Sequence, residues 1–114
     1  MLEIRYYVAP SGEEPFAEWF AELDGAAAAK ITRALVRIEQ GNLSNVKSVG
    51  EGVLEYRIDF GPGYRIYFGR DGNTIVVLLT GGTKKRQQRD IDAAHAIWRD
   101  YKQSRRGRVR TDGD

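Results

Sequence analysis

Cysteine is absent from the 114 residues and histidine occurs once. The first absence excludes thiol nucleophiles, disulfide staples and thiolate metal sites. The second excludes a histidine-rich metal cage and weakens any histidine-based catalytic pair. No apolar run approaches the roughly 20 residues of a membrane span. The first residues, MLEIRYYV, carry Glu3 and Arg5 where a signal peptide needs an apolar core. The expected location is therefore the cytoplasm, with no membrane partner. What is present is 41% apolar and 30% charged residues of both signs, the composition of a folded soluble domain. The length fits one domain.

The net charge of +2 hides an asymmetry. Residues 1–83 hold 8 basic and 11 acidic residues, whereas residues 84–114 hold 10 basic and 5 acidic. Lys84, Lys85 and Arg86 form one cluster; Arg105, Arg106, Arg108 and Arg110 form another. Such runs are either solvated surface or a footprint for a polyanion.

Leu2 to Val8 reads as a strand ending at Pro10. Ser11 to Glu14 has capping-box spacing, or Pro15 opens the helix instead. Phe16, Trp19, Phe20 and Leu23 then recur on one helical face. A second helix spans about Ala26 to Gln40, with Ile31, Ala34, Leu35 and Ile38 inward and Gly41 as C-cap. Lys30, Arg33 and Arg37 share another face, read as solvated. Gly41 to Gly52 reads as a polar loop. Three strands follow at Val53–Phe60, Tyr64–Gly69 and Asn73–Thr80, and a last helix runs from about Gln87 to Ser104. Residues 1–104 form the expected domain, and 105–114 a disordered basic tail. The class is α+β in the order β-α-α-β-β-β-α: a small, mostly antiparallel sheet, an N-terminal helical hairpin and a C-terminal helix.

A three-residue turn at 61–63 pairs Phe60 with Tyr64, Asp59 with Arg65 and Arg57 with Tyr67. A two-residue turn at Asp71-Gly72 pairs Arg65 with Leu78. On this register Arg57, Asp59, Arg65 and Tyr67 share one exposed patch, bordered by Val76 and Leu78. Asp59 and Arg65 are expected as a cross-strand ion pair, or, with Lys84 to Arg86 converging, as part of a phosphodiester site. His95, between Ile91 and Trp98, reads as a packed helix residue, and both tryptophans read as core.

The stretches EYRIDFGPGYRIYF and TIVVLLTGGTKKRQQRDIDAAHAIW resemble the RelE/ParE superfamily of type II toxins, specifically its phage-Gp49-like, HigB-related addiction module killer proteins. The resemblance covers about Met1 to Lys102. It implies a RelE-like fold and a toxin of a type II toxin–antitoxin system. RelE-like and HigB-like members bind the ribosomal A site and cut its mRNA without a metal or cofactor. The 2′-hydroxyl attacks the adjacent phosphate. Growth is arrested through translation until a cognate antitoxin, commonly a helix-turn-helix protein, neutralises the toxin.

Carried over residue by residue, the resemblance makes Arg57, Arg65, Lys84 and Lys85 the catalytic candidates. Arg65 takes the place of the arginine that meets the reacting phosphate. The family's C-terminal tyrosine or histidine has no match in Gln87-Gln88-Arg89-Asp90-Ile91. Arg86, Arg89, Tyr67, Arg105 and Arg106 are expected to bind RNA and the ribosome, and Val76 and Leu78 to dock the antitoxin. Arg65→Ala is expected to abolish toxicity and spare the fold. The alternatives are a ParE-like, non-enzymatic inhibitor of DNA gyrase and an inactive binding module.

Overall fold

The computed structural model describes residues 1–104 and 109–111. The elements run β1 (Glu3–Tyr7), α1 (Pro15–Ala21), α2 (Gly25–Glu39), β2 (Val46–Ser48), β3 (Val53–Ile58), β4 (Tyr64–Asp71), β5 (Ile75–Thr83), a 3-10 turn (Lys84–Arg86), α3 (Gln87–Gln103) and β6 (Val109–Thr111). The class is α+β: three α-helices and a six-stranded sheet in the order β2-β3-β4-β5-β1-β6. Among the described residues only β1 and β5 run parallel. Pro15 opens α1, where its missing N–H costs no helical hydrogen bond. Asp24 caps α2 by accepting from the Ala27 N–H at 2.8 Å.

The sheet separates two cores. Phe16, Ile31, Ala34 and Ile38 of α1 and α2 cover Tyr56, Ile66, Phe68, Val76 and Leu78. On the other face Ala94, Trp98 and Tyr101 of α3 cover Val53, Tyr67, Val77 and Leu79. Each face seats one tryptophan on a glycine. A Cβ at Gly81 would lie 2.3 Å from the Trp19 ring, and one at Gly69 would lie 2.5 Å from Trp98.

Two strands were not anticipated. Val46–Ser48, inside the expected polar loop, pairs with β3. Val109–Thr111, inside the expected disordered tail, pairs with β1. Both satisfy open backbone edges of the sheet, which residue composition does not report.

Both hairpin registers also differ. Ile58 pairs with Tyr64 and Arg57 with Arg65, so the connection is five residues, not three. Gly63 N–H donates to the Phe60 carbonyl at 3.0 Å and closes it. The two-residue slip preserves which residues share a face. The next hairpin loop is three residues rather than two, pairing Asp71 with Ile75. That odd slip exchanges the faces of β5 near the turn. Val76 and Leu78 therefore lie on the α1–α2 side, fully buried. A bulge between Tyr67 and Phe68 restores the phase, so Arg65 pairs with Gly82.

Candidate functional site

The alternation of β3 and β4 points Glu55, Arg57, Arg65 and Tyr67 toward α3. The face is not open, because α3 covers it. Arg65 is 1% exposed, and Glu55 and Tyr67 are 0% exposed. The Glu55 carboxylate is held from one side: its Oε2 accepts from Tyr67 Oη at 3.0 Å and from Gln87 Nε2 at 2.8 Å. Its Oε1 lies 3.9 Å from both Arg65 Nε and Lys47 Nζ and accepts no hydrogen bond. Arg65 Nη1 donates to the Tyr64 carbonyl at 3.1 Å, while its Nε has no hydrogen-bond partner. A buried ion pair with two unsatisfied atoms is a costly arrangement for stability alone.

The rim is cationic. Lys84 N–H donates to the Gly63 carbonyl at 2.8 Å, which pins the 3-10 turn to the β3–β4 connection. A Cβ at Gly63 would stand 3.3 Å from Arg65 Nη1 and 3.4 Å from Lys84 Cβ, so Lys84 sits at the guanidinium's end. Arg57, Lys84, Lys85, Arg86 and Arg89 are all exposed around it. Asp90 closes the cluster from the first turn of α3. A Cβ at Gly82 would lie 1.9 Å from Asp90 Oδ2, so only glycine admits that carboxylate against β5. Burial pushes the Asp90 carboxyl above its ordinary value, against the pull of Arg89 and Arg86. Burial first, and then the Glu55 charge, pushes the Tyr67 hydroxyl up as well, so it stays a donor.

The structure thus brings Arg57, Arg65, Lys84 and Lys85 together at one end of the sheet. It does not place Tyr67 where RNA could meet it, since α3 and Glu55 enclose its ring and hydroxyl. Arg65 lies beneath the surface, not on it. Val76 and Leu78 are core residues and offer no docking surface, a consequence of the odd register slip. Asp59 is exposed in the connection, and Arg65 pairs with Glu55 instead. Arg105 and Arg106 lie outside the described residues. His95 binds the β2–β3 connection: Nε2 meets the Val49 carbonyl at 2.9 Å and Nδ1 lies 3.3 Å from Glu51.

Glu55, Gln87 and Asp90 were missed by sequence reasoning. Glu55 had a readable signal, a carboxylate two residues before Arg57 and therefore on the same face. Asp90 had none, because only the sharp turn after β5 brings α3 back over Gly82. Among the described residues no group of three histidines or acids is placed to hold a metal ion. Nor is any helix long and apolar enough to cross a membrane.

The family model described as Phage derived protein Gp49-like (DUF891) matches residues 18–101. An uncharacterized protein of Haemophilus influenzae is 41% identical over 83 residues, covering 72% of this chain and 84% of that protein. The family match spans the α3-side cluster.

Proposed function

The chain belongs to the phage-derived Gp49-like family, and on that basis we propose that it arrests growth by cutting mRNA on the ribosome. Membership points, at the level of the family, to the toxin of a toxin–antitoxin module and so to an antitoxin partner. The finer reading rests on one observation: a buried arginine, Arg65, held under a rim of exposed cations that includes Arg57, Lys84 and Lys85.

In this reading Arg57 and the two lysines seat the phosphodiester, and Arg65 supplies fixed positive charge from beneath. Preorganised charge aimed at a developing phosphorane commonly contributes more to such catalysis than any other effect. The ribose 2′-oxygen attacks the adjacent phosphorus and the bond to the 5′-oxygen breaks. A 2′,3′-cyclic phosphate and a 5′-hydroxyl result. Asp90, its carboxyl pushed up by burial, takes the 2′-hydroxyl proton, and Lys84 or Lys85 returns one to the leaving oxygen. The ribosome supplies the alignment that free RNA lacks.

The test is to induce the chain alone in bacteria and map 5′ ends on translated and untranslated copies of one mRNA. Cuts confined to the translated frame are expected. Growth arrest with intact mRNA would overturn the reading in favour of a non-nucleolytic target such as DNA gyrase.

A further inference from the structure

A second cationic feature lies away from Arg65. A groove of about 560 Å³ runs between α2 and the β2–β3 edge. Lys30, Arg33, Arg37, Lys47 and Arg57 line it, against one carboxylate, Asp59. The three α2 cations follow from helical spacing: Ile31, Ala34 and Ile38 turn inward, which leaves positions 30, 33 and 37 on a flank.

Stability does not account for that flank. Like charges three or four residues apart on a helix cost about 0.2–0.5 kcal/mol per pair. Within α2 the one acid is Glu39, in its last turn. Among the described residues Arg33, Arg37 and Arg57 form no ion pair. Arg37 faces the favourable end of the helix dipole, but Lys30 and Arg33 do not.

We infer that this groove binds the phosphodiester backbone of RNA and leads it to the Arg65 site, an inference that rests on the RNA-cutting reading above. The seven residue steps of helix from Lys30 to Arg37 span about 10 Å. That is about three nucleotides of one strand measured along a duplex axis. Arginine forks suit phosphate oxygens. Arg57 belongs to both features: it lines the groove and its Cα pairs with Arg65 across the strands. The groove and the cationic rim therefore share Arg57 at the edge of the sheet. An acidic protein segment fits it less well. A protein interface needs a desolvated aromatic or aliphatic anchor, and here Ala34, Val46, Tyr56 and Ile58 pack into or against the α1–α2 core while Phe60 carries the Lys30 ammonium 5.1 Å from its centroid.

The test uses the full chain carrying Lys30→Gln, Arg33→Gln and Arg37→Gln, three exposed positions. Binding of a fluorescein-labelled single-stranded RNA is followed by anisotropy over a range of KCl, with a thermal melt as folding control. Losing three phosphate contacts should make the log–log salt slope shallower by about 2, with affinity reduced at least tenfold at low salt and an unchanged melt. An unchanged slope, or a parent chain without salt-dependent RNA binding, overturns the inference. So does a variant that binds RNA normally but no longer captures the antitoxin, which would make the groove a protein dock. If the variant loses RNA affinity although the parent leaves mRNA intact in cells, the groove stands and the cutting reading falls.

Discussion

The two faces of the sheet solve different problems. The face under α1 and α2 is apolar, an aliphatic and aromatic core from Phe16 to Leu78 with no buried charge among the described residues. The face under α3 has its own apolar cluster around Trp98 but also buries Glu55 and Arg65, with one unsatisfied nitrogen and one unsatisfied oxygen between them. A protein selected for stability alone would fill that space with hydrocarbon. In the proposed reading, the contrast assigns stability to one face and chemistry to the other.

That division is open to attack by substitution. The largest effect is expected at Arg65. Arg65→Ala should lower RNA cleavage by about 10²–10³. Because it leaves Glu55 buried without its partner, it should also destabilise the fold by about 3–5 kcal/mol in a denaturant titration. The surface-patch expectation of an intact fold does not survive the burial of Arg65. On the apolar face, Leu78→Ala should cost about 2–5 kcal/mol through its cavity, with cleavage by the folded fraction unchanged. A cleavage defect there as deep as that of Arg65→Ala would erase the contrast.

Tyr67→Phe removes one of the two donors to Glu55 Oε2. It should cost about 1–3 kcal/mol, read as a shift in the denaturation midpoint. On stability, the smallest effect is expected at Asp90. Its carboxyl titrates above the ordinary value in the fold, so the fold holds a proton that the unfolded chain has already released. Stability should therefore fall as pH rises from the ordinary aspartate range through the raised value. Asp90→Asn should flatten that fall in melts across the window; an unchanged slope would place the carboxyl in water.

The α+β class, the three helices and the three long strands were legible from periodicity and turn residues. So were the inward residues of α2, because helical spacing is set by the helix itself. The catalytic candidates Arg57, Arg65, Lys84 and Lys85 do converge. Three things were not legible. Loop lengths at 59–63 and 72–74 were misjudged by two residues and by one, and only the odd error changed which side chains are buried. Short strands β2 and β6 exist because open edges recruit them, a tertiary effect. Finally, the amphipathic α3 could have packed on either face, and its choice is what buries Arg65, Tyr67 and Glu55.

The most direct measurement replaces the buried pair as a unit. Glu55→Leu with Arg65→Met fills the same space with hydrocarbon and leaves no orphaned charge, so the melt should fall by no more than the cost of the Tyr67 hydroxyl left without its acceptor, about 1–3 kcal/mol. Expression of this double variant should no longer arrest growth or cut translated mRNA. A folded double variant that still arrests growth would contradict the assignment of chemistry to the α3 face.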